Sequence, residues 1–349
     1  MAQQKFIVSA SPHIATLEST KYIMMDVIIA LLPAVIAGWF YFGTRALLVL
    51  LVTVVASVLS EYVYQWIYFG IKEKSEAGVS ASEAFRRACS RTDVGDLSAV
   101  VTGLLLGMNL PVTIPLWMAA VGAVFAIVVV KQLFGGIGQN FVNPALAARA
   151  FMLASWPVAM TSFTAPVMSF TRYIQPADAI TSATPLSMIK ESSQIAVEGM
   201  PSLYDAFVGR IGGCIGETAT ILLIVGGLYL LIRKVIDWRI PVCYLGSFAI
   251  LTYFFGTESF SLSFVAFSLC TGGIMLGAIF MATDYTTTPT TNMGHIIFGI
   301  GCGILTFVIR RFGGYPEGTS YAILLMNVTA PLIDRFVHPK RFGEVKKHA

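Results

Sequence analysis

Charged residues are scarce in this sequence, and their scarcity limits what the protein can be. Only 12% of the 349 residues are Asp, Glu, Lys or Arg, whereas hydrophobic residues make up 56%. Soluble domains carry about 25% charged residues. The composition therefore excludes a soluble enzyme, a disordered protein and a small disulfide-stapled domain, and it indicates a polytopic membrane protein. The net charge of +4 is a signal of membrane topology rather than of nucleic-acid binding.

Motifs for metal-dependent or nucleophilic chemistry are also missing from the sequence. The five cysteines include no CxxC pair, and the four histidines fall at membrane edges or in tails. There is no HExxH helix, no Walker loop and no Cys/His metal spacing. We therefore predict no metal site and no catalytic triad, and we interpret the cysteines as small apolar side chains that fill space.

Long charge-free segments predict ten membrane-spanning helices, since a span needs about 20 mostly apolar residues. The longest such segment, 97–130, is broken by Asn109-Leu110-Pro111 and predicts two helices. No cleavable signal peptide is predicted, because the first 20 residues are polar. The predicted spans are 22–43, 46–69, 97–110, 112–131, 143–160, 214–232, 239–256, 259–282, 294–310 and 318–336.

The lysines and arginines set the expected orientation of these spans. Most of the 23 fall on one side of the membrane when the N-terminus is placed in the cytoplasm, which is the side that basic residues favour. The prediction is therefore cytoplasmic segments at 1–21 and 337–349 and a long extracytoplasmic loop at 161–213.

A weak internal repeat divides the spans into two groups of five. Residues 101–107 resemble residues 271–277, and Phe134-Gly135-Gly136 is repeated as Phe312-Gly313-Gly314. An odd number of spans in each half gives the halves opposite orientations, as in many transport proteins. We predict an all-α fold with two inverted five-helix repeats, over 22–160 and 214–336.

The loop 161–213 contains the segment 178–186, Asp-Ala-Ile-Thr-Ser-Ala-Thr-Pro-Leu, whose composition alone predicts a polar turn. The segment is similar to the flavinylation motif of one membrane-protein family, the B subunit of the sodium-translocating NADH:quinone reductase (Nqr) and the D subunit of the Rnf complex. Other stretches resemble the same family: they are 131–140, 143–145, 283–292, 312–318 and 331–334.

The resemblance implies that Thr184 carries FMN as a phosphoester, attached by a separate magnesium-dependent flavin transferase. It implies that Asp178 serves transferase recognition, and it places Thr181, Ser182 and Ala183 inside the motif. Thr181 and Ser182 stand where many members have Ser-Gly. The transferase needs an extended, exposed acceptor segment, and Pro185 biases Thr184 away from helical backbone angles. A second, non-covalent flavin, riboflavin, is permitted by the resemblance but not located.

The implied fold is urea-transporter-like. The implied function is that of a membrane subunit of an ion-translocating ferredoxin:NAD oxidoreductase, which passes electrons through FMN while Na⁺ or H⁺ moves. Expected partners are the A, B, C, E and G subunits, above all the flavin-carrying G subunit, the flavin transferase and membrane lipid, in a bacterial or archaeal cytoplasmic membrane. Three alternatives stay open: a B-type Nqr subunit, which the short N-terminal segment disfavours, a stand-alone solute or ion channel, and a structural scaffold.

Ionisable residues inside predicted spans are costly and are candidates for function. Glu61 and Arg149 lie well within spans, and Asp284 begins a run of hydroxyl residues whose oxygens suit a hard cation. We name these three as a possible ion or coupling site. The competing interpretations are a capped loop for Asp284 and a structural ion pair or a cofactor contact for Arg149.

Overall fold

The computed structural model describes residues 19–77, 80–92, 94–173, 184–192, 200–314 and 317–338. Over these residues the chain is helical and has no β-strand, as the composition predicts. The helix Leu116–Val124 continues as a π-helix, Phe125–Lys131, and a 3₁₀ turn, Gln132–Phe134, and the helix Ile274–Leu276 continues as a π-helix, Gly277–Met281. The α-helices are α1 Thr20–Ala77, α2 Ala81–Arg91, α3 Ser98–Met108, α4 Leu116–Val124, α5 Pro144–Ser155, α6 Pro157–Thr161, α7 Pro185–Ser192, α8 Leu203–Val208, α9 Thr220–Ile232, α10 Arg239–Phe255, α11 Leu262–Cys270, α12 Ile274–Leu276, α13 Asn292–Phe312 and α14 Thr319–Phe336.

Several of these helices suit a membrane. Three are long and apolar enough to cross it, at 20–76, 116–134 and 292–312, and the bent pair within 262–281 makes a fourth when counted as one span. Large apolar side chains such as Leu59 and Ile250 are more than half exposed, and lipid would cover such surfaces. The chain is a multi-pass membrane protein. The ten-span layout stays a prediction, because the other apolar helices are shorter.

The first long helix is broken at Gly43, between the first two predicted spans. Gly43 has φ of 72°, a left-handed conformation that favours glycine. A side chain here would collide with the backbone oxygen of Arg172. The 58-residue α1 is therefore two helices, with the turn pressed against the loop that follows α6.

Two apolar helices stop inside the protein and continue as irregular backbone. α3 ends at Met108, as Asn109-Leu110-Pro111 predicts, and α11 is separated from α12 by a turn at 271–273. The loop before α9 pairs with the first break: the Gly216 amide donates to the Met108 carbonyl (2.8 Å) and the Ile215 amide to the Leu110 carbonyl (3.1 Å). In a membrane, such backbone is tolerated only where protein or water satisfies its polar groups.

Two arginines, of which Arg45 is buried and Arg310 is half-buried, satisfy further carbonyls at these breaks. Arg45, only 5% exposed, donates to the carbonyls of Val112 (3.0 Å) and Ile114 (2.9 Å). Arg310 donates to the carbonyls of Ser268 (2.8 Å), Thr271 (3.1 Å) and Gly272 (3.0 Å). Each guanidinium thus replaces hydrogen bonds that a continuous helix would supply.

The five cysteines are unpaired. Cys214 and Cys302 are buried, as space-filling side chains should be, but Cys89 on α2 is exposed. The interpretation of all five as buried filler is therefore wrong for Cys89, which lies at the edge of the α1–α2 contact, with its Sγ 3.2 Å from the Tyr62 hydroxyl.

The most extensive helix pair is α10 with α13. Gly299 and Gly303 lie one turn apart on α13, a small-xxx-small arrangement that lets membrane helices approach closely. A β-carbon at Gly303 would lie 2.6 Å from the Tyr244 carbonyl oxygen and 3.0 Å from the Phe248 amide nitrogen. Both are backbone atoms, so a side chain here forces the two helices apart.

We predict that Gly303→Ala lowers stability by about 1–3 kcal/mol, the usual cost of overpacking. Gly246→Ala is the matched control, because nothing lies within 4 Å of its β-carbon position on α10. Helix propensity makes that change neutral or stabilising by up to about 1 kcal/mol. Thermal unfolding of both variants in detergent tests this, and equal midpoints would contradict the packing argument.

Candidate functional site

Thr184, the threonine at the end of the loop motif, lies immediately before α7. Its hydroxyl oxygen accepts a hydrogen bond from the Ser187 amide (3.2 Å), and the Ser187 hydroxyl donates to the Thr184 carbonyl (2.8 Å). These are the contacts of an N-cap residue. Pro185 takes the first helical position, where its missing N–H is not needed. The sequence Thr-Pro-Leu-Ser therefore starts a helix here.

Thr184 is less accessible than the sequence predicts. Only 7% of the residue is exposed, so the expectation of an exposed acceptor segment is wrong for the threonine itself. The physical reason is the docking of α7: Leu186 and Ile189 are both more than nine-tenths buried, and Ile189 packs in one cluster with Ile211 and Phe264. Burial of this apolar face carries the N-terminus of α7 into the protein.

The other motif residues, Asp178, Thr181, Ser182 and Ala183, lie outside the described residues. Their roles in transferase recognition and in shaping the acceptor segment stay predictions.

A small cavity adjoins Thr184. Its lining includes Gly212, Glu217, Gly272 and Glu317. The volume of about 10 Å³ is close to the space for one water molecule, so it cannot contain an isoalloxazine ring. The hydroxyl and the helix N-terminus suit a phosphoester. The Thr184 hydroxyl at the start of α7 can therefore bear the phosphoester, whereas the cavity itself, with two carboxylates in its lining, fits neither the flavin ring nor a second negative group.

Arg149, a candidate from the sequence, is buried beside this cavity. Its guanidinium forms an ion pair with Glu317 and donates to the Ser320 hydroxyl (2.5 Å). It also lies 3.8 Å from the Cys214 sulfur. The pair joins α5 to the segment before α14, and the sequence did not identify Glu317 because 168 residues separate the partners.

Cys214, Glu217 and Glu317 bring potential metal-ligand atoms within 4.8 Å of one another. Arg149 contacts two of these three residues. A fixed guanidinium supplies positive charge where a metal ion would otherwise do so, and it repels a second cation at this range. Arg149 therefore compensates the negative charge of these side chains, and the cluster is not arranged as a metal centre.

Glu61, the second candidate, lies at a separate cluster. It is 1% exposed and pairs with Lys131, whose Nζ is 2.7 Å from Oε1. Gln132 donates to the same oxygen (2.6 Å), and Lys131 also donates to the Ser98 hydroxyl (2.5 Å). Within the part of the chain that the structure describes, Oε2 of Glu61 has no hydrogen-bond partner. Lys131 ends the π-helix, a distortion frequent at functional sites.

A larger cavity of about 120 Å³ opens next to this cluster. Its polar lining includes Lys131, Asn140, Asn143, Asp284 and Thr286, and its walls are otherwise mainly apolar. It shares no lining residue with the cavity beside Thr184. Apolar walls with a few convergent polar groups are the usual form of a cofactor pocket.

Asp284, the third candidate, faces this larger cavity from a turn. Its carboxylate accepts hydrogen bonds from the hydroxyls of Thr286 (3.1 Å) and Thr287 (3.3 Å). Burial raises the pKa of Asp284 above its usual value, and these hydrogen bonds partly oppose the rise. The structure thus brings Asp284 near Lys131 but places Arg149 in the other cluster, so the three candidates do not form one site.

Comparison with known proteins agrees with these motifs. A family model described as NQR2, RnfD, RnfE matches residues 7–343. The D subunit of the Na(+)-translocating ferredoxin:NAD(+) oxidoreductase complex of Acetobacterium woodii is 46% identical, over 100% of this chain and 99% of its own length. The D subunit of the proton-translocating ferredoxin:NAD(+) oxidoreductase complex of Clostridium ljungdahlii is 43% identical, over 97% and 96%. The D subunit of an ion-translocating oxidoreductase complex of Yersinia pseudotuberculosis is 34% identical, over 98% and 99%.

We predict that the Arg149–Glu317 pair couples strongly in a double-mutant cycle. Glu317→Gln or Arg149→Met alone should cost about 3–5 kcal/mol, because each leaves an uncompensated buried charge. The double variant should recover most of that loss. The exposed pair Arg87–Glu83 on α2 is the control, with an expected coupling below about 1 kcal/mol. The unfolding midpoints of the single and double variants in detergent give the coupling energy of each pair. Equal coupling energies for the two pairs would show that the Arg149–Glu317 pair is not a buried ion pair.

Proposed function

The chain belongs to the NQR2, RnfD, RnfE family, and we propose that it is a D-type subunit of an ion-translocating ferredoxin:NAD oxidoreductase. In this proposal it carries electrons through FMN attached to Thr184. The observation that supports the attachment site most directly is the Thr184 hydroxyl, held at the N-terminus of α7 by the Ser187 amide. The curated relatives named above are all D subunits, which favours this function over that of a B-type quinone reductase subunit.

Thr184 and α7 would hold the phosphate end of the cofactor. The ester oxygen can still accept the Ser187 hydrogen bond, and the helix N-terminus favours the negative charge of the phosphodiester. The flavin supplies one-electron chemistry, and the protein supplies its position and electrostatic surroundings.

Burial of Thr184 places a condition on its modification. A transferase cannot reach the hydroxyl of a residue that is only 7% exposed, so we propose that attachment takes place while α7 is undocked. α7 is a short helix of eight residues whose apolar contacts run mainly through Leu186 and Ile189, and such small units open at low free-energy cost. Docking after attachment would then hold the ester end of the cofactor at the N-terminus of α7, with the ring outside the small cavity.

We also propose the ten-span layout. α1 supplies two spans on either side of Gly43, and the bent pair of α11 and α12 supplies one. The shorter apolar helices are buried against their neighbours, as broken or short spans in transporters are. Each half contains an apolar helix that stops inside the protein, α3 in the first half and α11 in the second, which supports two repeats of five.

The proposed setting follows from this layout. Both termini lie in the cytoplasm, and Thr184 lies on the extracytoplasmic side. Electrons are exchanged with the flavin-carrying G subunit, alongside the A, B, C and E subunits and lipid. The complex couples this transfer to Na⁺ or H⁺ movement; Glu61, Asp284 and Arg149 remain the residues proposed for coupling.

We propose the larger cavity as the place of a second, non-covalent flavin; at about 120 Å³ it is smaller than the three-ring isoalloxazine, so its walls must move apart for the ring to enter. Asn140, Thr286 and Lys131 lie at its wall, where they donate to Val142, Asp284 and Glu61 respectively, and a bound flavin would share or replace these hydrogen bonds. Amide groups and a cation can hydrogen-bond the carbonyls and ring nitrogens of an isoalloxazine, and apolar walls pack against its faces.

We predict that Thr184→Ser keeps covalent flavin and that Thr184→Ala abolishes it, when each variant is coexpressed with a flavin transferase. Serine retains both the acceptor hydroxyl and the N-cap, whereas alanine removes both. The loss of the cap should also cost about 0.5–2 kcal/mol. Flavin fluorescence of the denatured band measures attachment, and a fluorescent Thr184→Ala band would place the acceptor elsewhere.

We predict that Asn140→Ala combined with Thr286→Val weakens riboflavin binding by about tenfold or more. Two lost hydrogen bonds are worth about 1–3 kcal/mol together, and about 1.4 kcal/mol is tenfold in affinity. The titration uses riboflavin fluorescence in the Thr184→Ala background, so that covalent flavin does not interfere. Gln139→Ala, an exposed neighbour, is the control, and equal affinity in all variants would contradict the assignment.

A further inference from the structure

α2 packs one face against the last turns of α1. Ala84 and Ala88 of α2 are fully buried. The Trp66 indole nitrogen donates to the Phe85 carbonyl (3.0 Å), and the centroids of the two rings are 4.9 Å apart. Gly70 makes room for the Phe85 ring, because a β-carbon at Gly70 would lie 2.4 Å from it. These contacts fix α2 on α1, and the opposite face of α2 has no role in the function proposed so far.

The part of α1 beside α2 marks the edge of a membrane. Large apolar side chains are exposed along α1 as far as Ile67 and Ile71, and the exposed Lys72 follows directly. The rings of Tyr64 and Tyr68 stack in the same part of the helix. Tyrosine and tryptophan collect where the hydrocarbon of a bilayer meets the lipid headgroups. α2, which contacts this part of α1, therefore lies at the level of the headgroups.

Five basic residues lie on α2 and the end of α1, and two of them have no acidic partner. The ion pairs are Lys72–Glu76, Arg87–Glu83 and Arg91–Glu73. Arg86 and Lys74 are exposed and form no ion pair with the residues that the structure describes. The Arg91–Glu73 pair brings the end of α2 beside Lys74, which follows Glu73 in the chain. Lys74, Arg86 and Arg87 are called the basic patch below.

We propose that the basic patch binds the phosphate groups of anionic phospholipids. A guanidinium donates two parallel hydrogen bonds to a phosphate, and an ammonium attracts it as a point charge. Arg87 can also turn to a phosphate, because its pair with Glu83 is exposed and therefore weak. Basic side chains beside a span or on an amphipathic helix are attracted to anionic lipid surfaces. The inference needs only the membrane setting of the chain and is independent of the flavin on Thr184.

The surface next to the basic patch favours a lipid over a soluble protein. The exposed apolar residues Ile67 and Ile71 lie within two turns of Lys74 on α1. A phospholipid can place its phosphate on the patch and its chains along these side chains. A soluble protein would have to cover the same apolar surface at a level where lipid already covers it.

The test uses the full-length chain, produced without the flavin transferase, in nanodiscs of mixed phosphatidylglycerol and phosphatidylcholine. A fluorophore is attached to Cys89, the exposed cysteine of α2. Quenching by phosphatidylglycerol with a spin label on its acyl chain is compared with quenching by phosphatidylcholine labelled in the same way. The ratio of the two reports which lipid is enriched beside α2, because the quenching acts only over a short distance.

In the wild type we expect phosphatidylglycerol to be enriched at Cys89. Lys74→Gln combined with Arg86→Gln should lower its relative affinity by about fivefold for each charge removed. Both positions are exposed and outside the ion pairs, so the variant should fold. High salt should reduce the enrichment in the wild type, because it screens the attraction. The control, Arg172→Gln combined with Arg311→Gln, removes the same charge at exposed positions elsewhere and should keep the wild-type ratio.

Equal quenching by the two lipids in the wild type would overturn the proposal, and the basic patch would then fit the acidic surface of a partner protein. An unchanged ratio in the combined Lys74→Gln and Arg86→Gln variant would overturn it as well. A chain that fails to acquire flavin on Thr184 would refute only the proposed function, because no step of the lipid measurement involves flavin.

Discussion

The structure depends on how buried carbonyl groups are satisfied where apolar helices stop inside the protein. Two helices, α3 and α11, end in irregular backbone, and water is not available to it in a lipid environment. Arg45 covers the carbonyls of the first break and Arg310 those of the second. The loop around Gly216 completes the first break with its own amides. Broken helices are stable here because cations and loop amides replace the missing helical hydrogen bonds.

The candidate site for the flavin is built on the same backbone breaks. The turn at 271–273 and the loop that carries Glu217 both line the cavity beside Thr184. Arg149 and Glu317 fix the other wall. The rigid part of the site thus comes from buried, hydrogen-bonded backbone, whereas its acceptor residue comes from α7, a short docked helix. Because the acceptor residue belongs to a separate short helix, it can be modified while α7 is undocked. After α7 docks, Thr184 lies in a fixed electrostatic environment.

The sequence predicted the features that depend on residues close together along the chain. The all-helical architecture, the break after Met108 and the family were confirmed, and the turn at Gly43 falls between two predicted spans. It did not predict α7 or the burial of Thr184, because the helix is held by Ile211 and Phe264, which are distant in the chain. The roles of Arg45 and Arg310 could not be predicted either, because the topology rule for basic residues assumes that each one is solvated. Their partners are backbone carbonyls, which carry no signature in the sequence.

The central claim is that this family member carries its flavin on Thr184. Tandem mass spectrometry of the wild-type chain, purified from a host that contains the flavin transferase, tests it most directly. We expect the peptide containing Thr184 to carry one FMN minus one water, with fragment ions that place the addition on that threonine. An unmodified peptide, or an addition on Thr181 or Ser182, would contradict it.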